Sequence, residues 1–265
     1  LLSGFSYFKR LLIGGDSLSV EFWRAMRNTF LLSFYGLLFG FPMPIVLALF
    51  FNEIRSNGAR SVYQVLTYLP KFMSTVVMTS LVTMLVKQGS LTSNMGIVSQ
   101  ALASLGLISQ DVANAGLLNN PVFFRSIYQI SGIWESAGYD SIVFFAAIIA
   151  ISPTSYEAAQ IDGADKWAQM RYVVLPSILS TIVIMLITRI GSLLNIGYEK
   201  VLLLYNANTY VTADVVSTFA SRNGLGTGAG TGIAAAAEMM NNVIGMLLVI
   251  GANTIARKAS NTSLY

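Results

Sequence analysis

A polytopic all-α bundle of membrane-spanning helices is the fold class this sequence predicts, and three observations predict it. Of the 265 residues, 54% are hydrophobic and only 11% are charged, against roughly 25% charged residues in a soluble domain. The mean hydropathy is +0.64, and a soluble chain of this size with so few charges could not cover its own surface. Apolar segments close to the 20 or so residues that cross a bilayer as a helix recur along the chain, separated by polar stretches.

The first apolar segment, 28–51, has no charge and contains Gly40, Pro42 and Pro44. Proline removes a ladder donor and crowds the preceding turn, so a bend is expected there. A polar stretch, 52–60, ends it. The second segment, 72–86, is short, and 63–70 reads as an oblique lead-in to it. A polar stretch rich in Ser, Asn and Gly comes next, over 87–121. The third segment, 122–151, is too long for one straight span and holds Arg125, Glu135 and Asp140. Residues 122–136, with Tyr128 and Trp134 at a membrane–water boundary, read as an interfacial lead-in and 137–151 as the deepest part. The fourth, 178–196, carries Arg189 mid-span. A second polar stretch runs from 197 to about 230 and ends in a string containing Gly224, Gly226, Gly228 and Gly230. The last span, 231–256, has Glu238 about two turns in and is closed by Arg257 and Lys258. Five spans are visible, in a single domain, 1–265, that no linker divides.

Composition also excludes functions. Without Cys or His there is no disulfide scaffold, zinc ribbon or thiol enzyme, and the commonest general base and transition-metal ligand are missing. No catalytic residue and no metal site is expected. The net charge of +4 is spread without a basic run, which argues against nucleic acid. If 52–71, 152–177 and the C-terminus face the cytoplasm, they hold Arg55, Arg60, Lys71, Lys166, Arg171, Arg257 and Lys258. The opposite side holds eight basic residues over a greater length, so the positive-inside signal is one of density. That orientation puts the N-terminus outside. The first 27 residues show no signal-peptide pattern, so at least one further span is expected to precede Leu1.

The segment between the third and fourth spans, 152–177, reads as a helical hairpin. Pro153, Thr154 and Ser155 give a start signal, with Glu157 in the first turn, where the helix dipole favours a carboxylate. Gly163 breaks this helix after two turns. Residues 164–174 form a second, amphipathic helix with Trp167, Met170 and Val174 on one face, and Pro176 opens the next span. On shape alone this is either a capped connecting loop or a rigid element for docking a partner.

Its spacing is more specific. Glu157-Ala158-Ala159, Gly163 six residues after Glu157, and Val173 two before Leu175-Pro176 resemble the EAA loop of the membrane subunits of bacterial ABC importers, with Val where the family usually has Ile. Arg27-Asn28-Thr29, Gly40-Phe41-Pro42-Met43-Pro44, Asn52-Glu53-Ile54, Tyr68-Leu69-Pro70, Ile133-Trp134, Arg189-Ile190-Gly191, Asn195-Ile196-Gly197-Tyr198-Glu199 and Leu203-Leu204-Tyr205-Asn206 resemble the carbohydrate-uptake branch, most closely its permeases for oligosaccharides or polysaccharide fragments.

The resemblance implies a type I importer permease with six core spans, the first missing here, and both termini in the cytoplasm of a bacterial cell. It implies an ATP-driven transporter in which a second, homologous permease, a pair of ATPase subunits and an extracellular solute-binding lipoprotein are the partners. ATP and Mg would bind the ATPase, since this chain has no G-x-x-x-x-G-K-[ST] loop and needs no cofactor of its own. Glu157, Ala158, Ala159, Asp162 and Gly163 would form the ATPase-coupling elbow. Gly138, Tyr139 and Asp140 in one span, and Ser192, Asn195 and Tyr198 in the outer half of the next, are candidates for the sugar pathway, since polar groups inside a membrane face a cavity or pair within the bundle. Ser192 and Asn195 read equally as interhelical glue, and Arg189 and Glu238 as structural ion-pair or interface groups. The alternatives are a permease of the same kind for phosphate or an amino acid, and a secondary transporter, which would need no coupling hairpin and would show inverted repeats.

Overall fold

The computed structural model describes residues 2–89, 95–225 and 230–260. Among the described residues every regular element is helical. Three helices, Ser17–Glu53, Pro121–Ile149 and Thr231–Arg257, are long and apolar enough to cross a membrane. Two broken pairs, Asn57–Phe72 with Thr75–Val86 and Lys166–Ser177 with Leu179–Gly191, bring the candidate spans to five.

Several boundaries differ from those expected. The first long helix begins at Ser17 rather than at 28, because Asp16 caps it: its Oδ1 accepts the Ser19 amide at 3.0 Å. Pro42 and Pro44 do not break it. The chain widens into a π-helical stretch, Gly36–Gly40, with the Phe41 amide reaching Gly36 O at 3.1 Å. This wide turn holds Leu38 and Gly40, whose carbonyls the two prolines cannot bond. The third apolar segment is one helix, Pro121–Ile149, not a lead-in with a separate span behind it. The fourth ends at Gly191 rather than at 196, which places Arg189 in its last turn rather than mid-span. The stretches taken as polar connections carry short helices, including Ile97–Ser104, Gln110–Ala115, Tyr198–Leu204 and Val216–Leu225. Of the glycine string, residues 226–229 lie outside the described residues.

The described residues fall into two compact units. The first comprises Leu1–Tyr35, Met73–Ser131 and Leu193–Gly245; the second comprises Gly36–Phe72, Gly132–Ser192 and Met246–Tyr265. In the first, Leu11, Phe22, Ala25, Met26, Val216, Phe219, Ile233 and Ala237 form one buried cluster. Leu32, Val82, Phe124, Val201, Leu204 and Val215 form another.

Buried polar side chains tie these helices to irregular backbone. Asn28 Nδ2 donates to the carbonyls of Val211 and Asp214, both at 3.0 Å, and its Oδ1 accepts from Arg125 Nη2 at 2.9 Å. Thr29 Oγ1 accepts the Val216 amide at 3.0 Å. Asp214, fully buried, takes both ends of the Arg222 guanidinium at 3.0 and 2.8 Å and the Thr218 hydroxyl at 2.8 Å, the bidentate geometry that makes such pairs strong. Asn206 Nδ2 bonds Leu118 O and Asn119 Oδ1, each at 3.0 Å.

The polar ties of this unit can be tested through stability. Asn28→Ala leaves the buried Asp214 carbonyl, the part-buried Val211 carbonyl and one guanidinium N–H without this partner, and should destabilise the purified protein by about 1–3 kcal/mol in a chemical-unfolding titration. The Tyr205 hydroxyl is pushed up to about 12, chiefly by burial and then by Tyr210 beside it. The unfolded side chain titrates near 10, so stability from this group is complete below pH 10 and is lost as pH rises through 12. Thermal unfolding between pH 9 and 12 (roughly the window set by those two values) should show a decline that Tyr205→Phe reduces.

Candidate functional site

The hairpin between the third and fourth spans belongs wholly to the second unit. Its first limb is the helix Pro153–Ile161, with Pro153 at the first helical position, where a missing N–H costs nothing. Glu157 therefore stands in the second turn, not the first as expected; no acidic residue lies in the first turn. The limb ends as a Schellman motif: Ala164 N–H donates to Ala159 O at 2.8 Å and Gly163 N–H to Gln160 O at 3.0 Å. Gly163 takes φ +79°, a left-handed conformation that costs other L-residues strain. A Cβ at Gly163 would meet open space, so the demand for glycine comes from the backbone.

The second limb begins at Lys166 rather than at 164, because Asp165 caps it; Oδ1 accepts the Ala168 amide at 2.7 Å. It then widens into a π turn, Met170–Val174, before Leu175–Ser177 and, bent by 60°, the helix Leu179–Gly191. That π turn corrects the expected face. One extra residue in a turn rotates the remainder of the helix by about 100°, so Trp167 is 76% exposed while Val174 is 2% exposed and Gln169 is also buried.

One side of the hairpin is anchored and the other is bare. Val174 and Ile178 join Ala48, Phe144 and Ile148 in a buried cluster, with Tyr156, Phe145 and Ile45 packed against it. Burial pushes the Tyr156 hydroxyl up, the polar Asn52 side chain opposes that rise, and the Glu53 carboxylate adds to it. Lys166 Nζ lies 3.4 Å from Glu53 Oε2. Glu157, Ala158, Gln160, Asp162 and Gly163 are exposed, and Ala159 is half-buried. Ile161 is 86% exposed at the elbow.

The pathway candidates are divided between the units. Gly138, Tyr139, Asp140 and Ser192 lie in the second, Asn195 and Tyr198 in the first. Gly138 is a place of helix contact: a Cβ there would stand 2.1 Å from Thr67 O. Tyr139 is half-exposed, edge-on to Phe72 at 5.9 Å; Asp140 is half-buried. Ser192 caps the helix ending at Gly191, and Asn195 lies on the non-helical stretch beyond it, so neither is in the outer half of a span as expected. Tyr198 opens the next helix and its hydroxyl is 3.0 Å from Ser221 Oγ.

Sequence reasoning did not single out the residues that hold that stretch. Ser33 Oγ donates to Leu193 O, and Asn241 Nδ2 donates to Leu194 O at 3.2 Å. A small polar residue within an apolar helix is the available signal, but the partner backbone is far away in the chain.

Residues 40–256 match the family described as binding-protein-dependent transport system inner membrane component. The chain belongs to that family. It is 34% identical to protein LplB of Bacillus subtilis (strain 168) over 262 residues, covering 99% of this chain and 77% of LplB. To the polygalacturonan/rhamnogalacturonan transport system permease protein YteP of the same organism it is 35% identical, covering 92% and 73%. Among solved structures it resembles a chain of a bacterial ABC transporter involved in the import of the acidic polysaccharide alginate, with TM-score 0.85, 41% identity and coverage of 97% and 84%. A second is the alginate ABC transporter in complex with alginate pentasaccharide-bound periplasmic protein, with TM-score 0.84, 41% identity and coverage of 99% and 89%. The fold is thus that of a type I ABC importer permease, and the protein is a membrane-embedded transport component rather than an enzyme.

In this permease the elbow is testable by itself. Gly163→Val should speed hydrogen exchange at the Gly163 and Ala164 amides about 5- to 30-fold, the equivalent of the 1–2 kcal/mol that a left-handed conformation costs a branched residue. Gly163→Asn should cost less.

Proposed function

We propose that this chain is the permease subunit through which an ATP-driven ABC importer carries oligosaccharides or polysaccharide fragments into the cell. The family and fold make it a transport component; the relatives above that handle rhamnogalacturonan, polygalacturonan or alginate support the cargo class. A second homologous permease completes the translocation path, a pair of ATPase subunits hydrolyses ATP with Mg, and an extracellular solute-binding lipoprotein delivers the cargo. The hairpin and the C-terminus face the cytoplasm, in keeping with the density of Arg and Lys in those segments.

The observation that carries the mechanism is the two-sided hairpin. Its inner side is built into the core formed by Ala48, Phe144 and Ile148, while Glu157, Ala158, Gln160 and Ile161 stand free around the Gly163 elbow. An ATPase groove that closes on the free side moves the helices attached to the other. Two states, inward-open and outward-open, are then biased by nucleotide at one end and cargo at the other. Asn195 and Tyr198 in the first unit, and separately Tyr139, Asp140 and Ser192 in the second, are candidates for contact with sugar hydroxyls, being neutral, aromatic and acidic groups of the kind such hydroxyls use.

Proteoliposomes holding the full-length permease with its partner subunits should take up labelled oligogalacturonides or alginate oligomers only with ATP and the binding protein present. Uptake without ATP would overturn the importer assignment, and ATP-driven uptake of phosphate or an amino acid in place of the oligomers would overturn the cargo class.

A further inference from the structure

The first unit carries more positive charge in one place than its own acids neutralise. Arg24, Arg27 and Asn28 lie on the helix Ser17–Tyr35, and Arg125 lies in the second turn of Pro121–Ile149. The two helices run side by side in register. Arg125 Nη2 donates to Asn28 Oδ1 at 2.9 Å and, four residues on in both, Gln129 Nε2 donates to Leu32 O at 2.6 Å. Arg24 is one turn before Asn28, on the same helix face. Glu21, on that helix, and Asp214, whose carbonyl Asn28 holds, both go to Arg222, at 3.5 and 2.8 Å. Among the described residues no carboxylate pairs with Arg24, Arg27 or Arg125. The Nε atoms of Arg24 and Arg125 are buried there without an acceptor.

We propose that Arg125, with Arg24 one turn away, receives the carboxylates of an acidic oligosaccharide and makes this permease selective for uronate-containing cargo. The inference rests on the cargo reading above and narrows its class. A guanidinium does not lose its proton in a protein, and a half-buried charge without a counter-ion is held at a cost. Asn28 offsets none of that charge, being a neutral acceptor itself fixed by the Val211 and Asp214 carbonyls. It holds the Arg125 fork in one orientation, ready for an anion, and a carboxylate is the two-pronged partner that fork fits. Ionisable side chains in a membrane protein face a cavity rather than lipid. Arg125 stands at the end of its helix away from the coupling hairpin. With the hairpin in the cytoplasm, that is the end to which cargo is delivered. Asn195 and Tyr198 of the same unit suit the hydroxyls of any sugar, whereas only an acidic one supplies the missing negative charge. Alginate, an acidic polysaccharide, is what the transporter whose chain this one resembles imports.

The test uses proteoliposomes of the full-length permease with its partner subunits and one binding protein throughout. The probes are labelled galacturonate or alginate oligomers, free or with an increasing share of their carboxylates as methyl esters. Wild-type uptake should fall steeply along the series. R125Q should flatten it, lowering the preference for the free acid at least about tenfold, the lower end of what a hydrogen bond to a charged group is worth. A flat wild-type series would overturn the proposal. So would an equal loss by R125Q at every degree of esterification, the mark of a purely structural partner of Asn28. A lowered affinity for the cargo-free binding protein, with the series unchanged, would overturn it too, since acidic side chains of that partner would then be what the guanidinium meets. Should R125Q not assemble, R24Q should flatten the series in its place, and a series as steep as the wild type's would overturn the proposal. ATP-driven uptake of neutral oligosaccharides in preference to acidic ones would overturn this proposal and leave the importer reading standing. Uptake of no oligosaccharide would overturn that reading and this one with it.

Discussion

A peptide group inside a bilayer has no water to bond, so backbone that leaves the helical ladder there must find its partners within the protein. Buried irregular backbone outside the spans faces the same demand, and this chain leaves the ladder at 192–197, at 205–209 and at 214–215. In each place a short polar side chain supplies a partner. Ser33 and Asn241 donate to the carbonyls of Leu193 and Leu194, Thr209 Oγ1 accepts the Asn206 amide, and Asn28 donates to the Asp214 carbonyl. The irregular segments of the first unit are therefore defined structure, and the residue types that hold them are those least expected in an apolar helix. Where the ladder is only loosened, at Gly36–Gly40 and Met170–Val174, the wide turn keeps its own bonds and needs no such help.

The same constraint separates the two kinds of glycine that matter here. Gly163 is needed for its φ of +79°, with nothing nearby that a side chain would strike. Gly138 is helical and buried, and is needed because Thr67 O leaves no room for a Cβ. One sets a turn at the surface of the hairpin; the other sets the distance between two helices. A substitution at Gly138 thus disturbs packing before it can report on any contact with cargo, which makes Tyr139 and Asp140 the informative positions of that trio.

How much of the fold is legible in the sequence depends on how local its causes are. The five apolar segments are legible because hydropathy sums over neighbours, and the elbow at Gly163 because a Schellman motif is written within six consecutive residues. The hairpin's face was misread because a π turn changes the register without changing composition: Trp167 and Val174, seven apart, would share a face only in a regular helix. The end of the fourth span was misread because Leu193, Leu194 and Ile196 continue an apolar run whose backbone is captured by Ser33 and Asn241. The role of Asn28 was out of reach for the plainest reason, since its partners lie 183 and 186 residues away. The depth expected of Ser192 and Asn195 depends on where the fourth span ends, and its end at Gly191 leaves both on the stretch beyond it.

The hairpin's mechanics depend on which of its contacts are stiff. Apolar packing around Phe144, Ile148, Val174 and Ile178 fixes position, because a close-packed core resists displacement. A hydrogen bond or ion pair does not slide; it holds or breaks. Tyr156 adds its ring to that packing from the first limb. Glu53 and Lys166 add one ion pair, at 3.4 Å, from the second. The bare outer side, with Ile161 and Trp167 exposed, has no such constraint among the described residues. Its orientation is set by what holds the inner side, the cluster around Phe144 and Ile148 and the Lys166–Glu53 pair.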